Sequence, residues 1–294
     1  MSARTVRWNP WLGTRRGHLT DWITQQWVRA GGTRRPSADV PWLRGPSAET
    51  HGITERDFAR FAAAEQLVPL PTDGDSGLLA DLDALAGERF DPAALHPTVA
   101  DFYLRTVRYR MSLSSRWTPS FAPFGRAVDA LFARRLGQLQ LPLAPLDATA
   151  DVDSRLLRFG DGDRSTHVAW LRTLRPGGEV LYAGLYSVAT PPHASGPCIK
   201  VVFPLPNGNA TVLLEPTVEP DGSLVLLSAG DRFGGPGFYF TVDAGDGTIW
   251  AKPVTQFHER IHVYVDDEGQ LRTDHRFWLW HRRFLRLHYL LDVR

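Results

Sequence analysis

The chain has one cysteine, two methionines and only two lysines in 294 residues. A lone Cys198 cannot close an internal disulfide, which fits a reducing cytoplasm, and its neighbours Pro197 and Ile199 suggest a buried, inert thiol. Lysine occurs only at Lys200 and Lys252, so 31 of the 33 basic residues are arginine. With abundant alanine, that bias reads as the codon usage of a GC-rich bacterial genome. A nucleic-acid footprint would need clustered basic residues within a module motif, and none is present, so no nucleic-acid partner is expected. No apolar run approaches about 18 residues, which argues against a transmembrane helix. The opening MSARTVRWNPWLGTRRGHLTDW has no apolar stretch of a secretion signal, and the expected location is cytoplasmic.

Other absences narrow the chemistry. No βαβ alternation appears, so a parallel nucleotide-binding sheet is not expected. The glycines of GDRFGGPGFYF (residues 230–240) are followed by a strand-like run, where a phosphate-binding loop needs a helix. GDGDRS at 160–165 lacks the twelfth-position glutamate of a calcium loop and reads as a hairpin turn. Ser165-Thr166-His167 hints at a hydrolase, yet there is no G-x-S-x-G elbow. No cofactor is indicated.

What is present changes character along the chain. Residues 1–50 form a Trp/Arg-rich arm with five of the ten tryptophans, and residues 1–46 hold eight Arg against two Asp, a net +6. Such an arm can pack its indoles on the body or meet a membrane surface or partner. Within it, Thr20 is placed to cap a short helix that ends at Gly31-Gly32. Residues 51–145 read as helical: Thr54-Glu55-Arg56-Asp57 resembles a capping box, SGLLADLDALAG runs from a Ser cap to Gly87, and HPTVADFYLRTVRYRM starts with a first-turn Pro97. The segment PFGRAVDALFARRLGQLQLP (123–142) keeps the plainest helical spacing.

Residues 150–294 switch to period two, in about ten runs separated by RPGG, PNGN, PDGS, AGDG and DDEG. Short strands joined by Gly-bearing turns predict an antiparallel meander. The expected fold is α+β: N-terminal helices followed by a large antiparallel β-meander, curled into a partly closed calycin-like barrel, with residues 51–294 as one domain.

His258-Glu259-Arg260-Ile261-His262 spells the H-E-x-x-H signature of zinc proteases. That signature needs a helix, whereas here it lies in an alternating run that DDEG turns back on itself. In a strand the two histidines share a face but stand roughly 13 Å apart, and Glu259 points to the other face. No metal site is expected. The polar strip on the histidine face supplies the candidate site: His262 and His258 as acid/base, Tyr264 as donor and Arg260 for developing negative charge, with Arg276, Trp278, Trp280 and His288 binding ligand. This strip is either a solvated sheet face or a cavity lining.

The block HPTVADFYLRTVRYRMSLSSRWTPSFAPFGRAVDALFARRLGQLQLPL, residues 96–143, resembles uncharacterised bacterial proteins that include the soluble part of YndJ-type proteins. The resemblance implies a helix-then-β domain and carries no catalytic residues over. The functional expectation is a protein that binds an apolar small molecule in a sheet cavity, with a cofactor-independent cyclase or isomerase of bacterial secondary metabolism as its catalytic form. Two alternatives stand beside it: a non-catalytic lipid or ligand binder, and an interaction protein using its basic, Trp-rich arm.

Overall fold

The structure, a computed structural model, describes residues 19–48, 53–118, 151–174 and 180–294. Among the described residues the N-terminal part holds helix α1 (Leu19–Gly31), strand β1 (Thr33–Pro36), helix α2 (Glu55–Ala64), strand β2 (Val68–Leu70), helix α3 (Pro97–Leu104) and strand β3 (Tyr109–Trp117). Eleven further strands follow: β4 (Asp151–Asp161), β5 (Arg164–Leu174), β6 (Val180–Ala189), β7 (Cys198–Leu205), β8 (Gly208–Val218), β9 (Leu224–Ser228), β10 (Phe238–Asp243), β11 (Thr248–Pro253), β12 (Phe257–Val265), β13 (Leu271–Leu279) and β14 (Arg282–Val293). The result is a β-rich α+β fold built on one antiparallel sheet.

Along the sheet the strands run β1-β11-β10-β8-β7-β6-β5-β4-β3-β14-β13-β12-β9. β8 divides its free edge: Gly208 to Val212 pair with β10, while Glu215 to Val218 pair with β9. The turns expected from sequence make these connections. Asn207 and the glycines 222, 245, 247 and 269 all take the positive φ that tight hairpins require.

Alternation then assigns the faces. On the core face, Met111, Leu113, Trp170, Tyr182, Ile199, Leu226, Val263, Phe277 and Leu287 join Val99, Phe102 and Tyr103 of α3 in one buried cluster. Two smaller clusters lie on the opposite face. Phe58 of α2 covers Ala169, Leu185 and Val202, and Trp42 and Leu43 cover Leu213, Tyr239 and Ala251. Cys198 is in the second of these, fully buried, and burial pushes its thiol up to about 12.

The N-terminal 50 residues therefore are not a free arm from residue 19 onward. β1 pairs with β11 from Thr33↔Ala251 to Pro36↔Thr248, and the Trp42 ring packs edge-on against Tyr239 at 5.1 Å. Trp8 and Trp11 lie outside the described residues.

Helix α2 starts as expected, with the Asp57 carboxylate accepting the Thr54 N–H at 2.9 Å in a capping box. Two helical expectations are corrected. SGLLADLDALAG is an irregular strap with a single tight turn at Asp83–Leu85, although Leu78, Leu79, Leu82 and Leu85 are all buried. The stretch after α3 does not continue as helix. Tyr109, Met111, Leu113 and Ser115 alternate into the core, and β14 pairs with β3 from Val293↔Tyr109 to Leu285↔Trp117. The helix expected over 123–142 lies outside the described residues. No helix among the described residues is long and apolar enough to cross a membrane.

The strap crosses the end of α3 at Gly77, where an added Cβ would meet the Tyr103 carbonyl oxygen at 2.2 Å. The close approach is fixed by the Leu79 N–H donating to that same oxygen at 3.1 Å and by the Leu78 N–H donating to Thr106 Oγ1 at 3.2 Å. Gly77→Ala is expected to destabilise the fold by about 1–3 kcal/mol through overpacking. Gly74→Ala, with nothing within 4 Å of its Cβ, is the matched control. It should stay within about 0.5 kcal/mol of wild type in urea denaturation.

Candidate functional site

The sequence-predicted strip folds as expected locally but faces away from the core. His258 pairs with Trp278, Arg260 with Arg276, His262 with Asp274 and Tyr264 with Arg272 across β12 and β13. All sit on the face opposite Phe257, Ile261 and Val263, so they do not line the interior. His262 stacks on Tyr264 at 4.7 Å between ring centres, and its Nε2 lies 2.9 Å from Ser223 Oγ. Burial first, then Arg260, lowers the His262 pKa. His288 stands opposite Asp274 on β14, its pKa lowered by burial and then by Arg286, and its buried Nδ1 has no hydrogen-bond partner. Trp280 is apart from the rest, at the turn between β13 and β14 and 62% exposed. Among the described residues no group of three or more His, Cys, Asp or Glu side chains is placed to hold a metal ion.

The core face holds a different constellation. Arg172 of β5 is 7% exposed, with its guanidinium carbon 4.4 Å from the Trp170 ring centre, 4.0 Å from Tyr182 and 5.6 Å from Tyr289. Its Nε is buried without a hydrogen-bond partner. A cation ringed by π faces keeps part of its lost hydration energy, but a guanidinium with an unpaired N–H remains short of acceptors. Glu259, the central residue of the H-E-x-x-H spelling, is 6% exposed and lies 2.7 Å from Nε2 of His275 on β13. Such a contact fixes which nitrogen of the ring faces the carboxylate and leaves the other for a second partner.

Two tyrosines complete the group. The Tyr182 hydroxyl donates to Tyr186 Oη at 2.9 Å. Burial raises the pKa of Tyr182 well above the ordinary value, with Tyr186 adding to the rise, and pushes Tyr186 up to about 12. Arg172 opposes the rise at both hydroxyls but does not outweigh burial, so both stay protonated. Between these groups lies a cavity of about 70 Å³, lined by Arg172, Tyr186, Tyr289, Thr273 and His275 and roofed by Leu78, Phe102 and Tyr103 of the strap and α3. It is polar at one wall, apolar elsewhere, and has room for a few waters.

Of the two readings open to the polar strip, the structure has it on the face away from the core, and sequence reasoning passed over the charged residues of the core face. The signal it could have used is the charged residue set among apolar ones on a strand's buried face. Arg172 sits in phase with Val168 and Trp170, and Glu259 in phase with Phe257 and Ile261.

Ser165, Thr166 and His167, the residues that hint at hydrolysis in the sequence, lie at the start of β5. These residues line a surface cleft of about 380 Å³ with Asp81 and Arg164. Thr166 Oγ1 is 3.0 Å from His167 Nδ1, while Ser165 Oγ is buried without any partner. His167 is therefore not bonded to the serine it would have to activate.

Comparison with known proteins finds no matching family model, no matching curated protein and no matching solved structure.

His167 supplies a pH test. Burial, and secondarily Lys200, pushes its pKa down to about 4 from 6.5, so the unfolded chain binds the proton more tightly. The stability held by neutral His167 is complete above pH 6.5 and is lost as pH falls through that value towards 4. The loss expected from this one group is about 3 kcal/mol. Chemical denaturation across that pH range should show a visibly shallower decline for His167→Phe than for wild type.

Proposed function

We propose that the protein binds an apolar small molecule on the core face of its sheet, and that the sheet surrounds it as a partly closed, calycin-like barrel. The observation that carries the reading is the buried Arg172 guanidinium among three aromatic rings, at the wall of a cavity that it shares with His275, the partner of Glu259. Buried charges of this kind do little for stability compared with apolar side chains of the same volume. Grouped at a cavity with buried hydroxyl donors, they are what a ligand site contains. The enclosing geometry is supported by β9, which pairs with β12 on one side and returns to β8 on the other.

The ligand class follows from the lining. Tyr186, Tyr289, Leu226 and Ile261 supply apolar and aromatic walls, while Arg172 answers a carboxylate, enolate or electron-rich ring. At about 70 Å³ the cavity is well below the roughly 300–1,000 Å³ of ordinary ligand sites. Entry of a polycyclic or acyl compound therefore requires the strap and α3, which carry Leu78, Phe102 and Tyr103, to move outward.

The same groups suit a cofactor-independent isomerase or cyclase. Such a reaction rearranges bonds within one molecule and conserves its atoms. Glu259 with His275 would take a proton from one position and return it at another. Arg172 and the tyrosine hydroxyls would stabilise the negative charge that develops between. A non-catalytic binder would use the same cavity and return its ligand unchanged.

The test is native mass spectrometry of freshly purified protein, followed by denaturing extraction and small-molecule analysis. An apolar compound carrying an acidic or electron-rich group is expected to co-purify. Glu259→Gln should retain the compound and lose its conversion if the protein is an enzyme. A ligand-free mass, together with no thermal stabilisation by a panel of apolar acids and polycyclic phenols, would defeat the proposal.

A further inference from the structure

On the face opposite the core, four arginines stand in line across four strands. Arg260 of β12 faces Arg276 of β13, Arg276 faces Arg286 of β14, and Arg286 faces Arg116 of β3. At about 4.8 Å between strands the row is roughly 15 Å long. Like charges directly opposite one another in a sheet repel, so an unbroken row of four calls for counter-charge.

The described residues provide only part of it. Asp274, 3% exposed, pairs with both Arg276 and Arg286. Burial pushes its carboxyl upward, but the two guanidinium groups outweigh burial and hold its pKa below the ordinary value. Arg116 and Arg260 form no ion pair with a carboxylate among the described residues. Nor do the segments outside them bring a surplus of acid: residues 1–18, 49–52, 119–150 and 175–179 together hold eight arginines and four acidic residues. Arg116, which is exposed, and Arg260, which is half-buried, are therefore available to an anionic group of another molecule.

The neighbourhood indicates which kind. Just beyond the row, the β13–β14 turn presents Trp280, 62% exposed, with Arg282 and Arg283 also exposed beside it. Trp280 holds a φ of 54°, a left-handed conformation that bulky residues rarely adopt. Its backbone N–H donates to the Gln256 carbonyl at 2.6 Å, which holds the turn's backbone in place. Guanidinium forks match phosphate oxygens, and indoles favour the boundary between headgroups and acyl chains.

We propose that this face docks on an anionic phospholipid surface, with the arginine row over the phosphates and Trp280 at the headgroup–acyl boundary. A nucleic acid is the competing polyanion. It is disfavoured because the exposed indole lies four residues on from Arg276 in the direction of β13, roughly 13 Å off the line of the row, and not between the arginines, where it could stack on bases. The proposal does not depend on the ligand reading.

The experiment is co-sedimentation of the full chain with phosphatidylcholine vesicles, and with the same vesicles containing phosphatidylglycerol. Binding is expected only to the anionic vesicles, and high salt should abolish it. Arg116→Gln with Arg260→Gln removes the two arginines of the row that form no ion pair among the described residues and should weaken binding by about tenfold or more at unchanged melting temperature. Arg282→Gln with Arg283→Gln is a second pair, at the exposed turn, should the first lower the melting temperature. Brominated lipid should quench wild-type tryptophan fluorescence more than that of Trp280→Phe. Equal sedimentation with both vesicle types, unchanged binding by both arginine pairs, or displacement from vesicles by a short oligonucleotide at equal phosphate concentration would each overturn the assignment.

Discussion

A long antiparallel sheet with one apolar face must find something to cover that face, and this requirement organises the molecule. From β3 through β14 the alternating side chains point to one side, and α3 and the 76–95 strap close over them. Burial at about 25 cal/mol per Å² of apolar surface makes this the dominant favourable term. The opposite face is covered only in patches, by α2 over β4 to β7 and by residues 40–43 over β8, β10 and β11. The polar residues of β12, β13, β14 and β3 fall on the rest of that face.

Against this background the charged residues on the core face stand out. Arg172 and Glu259 are in register with apolar neighbours, and each is below a tenth exposed. Arg172 meets aromatic faces and Glu259 meets His275, so neither charge is bare, yet both are less satisfied than they would be in water. Arg172 and His275, the partner of Glu259, both line the cavity beneath the strap and α3. Arg260 and Arg276 lie on one face of the β12–β13 hairpin, and the Glu259–His275 pair lies on the other.

Much of the strand order was legible because the turns carry their own chemistry. PNGN, PDGS, AGDG and DDEG each became a hairpin connection with a residue at positive φ. H-E-x-x-H was recognisable as strand from its alternating neighbours and its return turn, and it lies in β12. Two segments misled. Leu78, Leu82 and Leu85 have helical spacing, but the Leu78 and Leu79 N–H groups donate to Thr106 and Tyr103 while that of Leu85 closes a tight turn onto Leu82, so burial did not require a helix. Tyr109-Met111-Leu113 carried period two, hidden by the helical spacing that precedes it in α3. The interior site was harder to read because alternation reports which residues share a face but not which face closes on the core. His258, Arg260, His262 and Tyr264 share one face of β12, while Glu259 alone marks the other.

The central claim is that Arg172 is retained for a ligand and not for the fold. Its most direct test is the unfolding free energy of Arg172→Met, a substitution close in volume that removes the buried charge and its unpaired N–H. If the claim holds, the variant is as stable as wild type or more so, while losing ligand affinity. A loss of more than about 3 kcal/mol would contradict it and make Arg172 a structural cation held by its three rings.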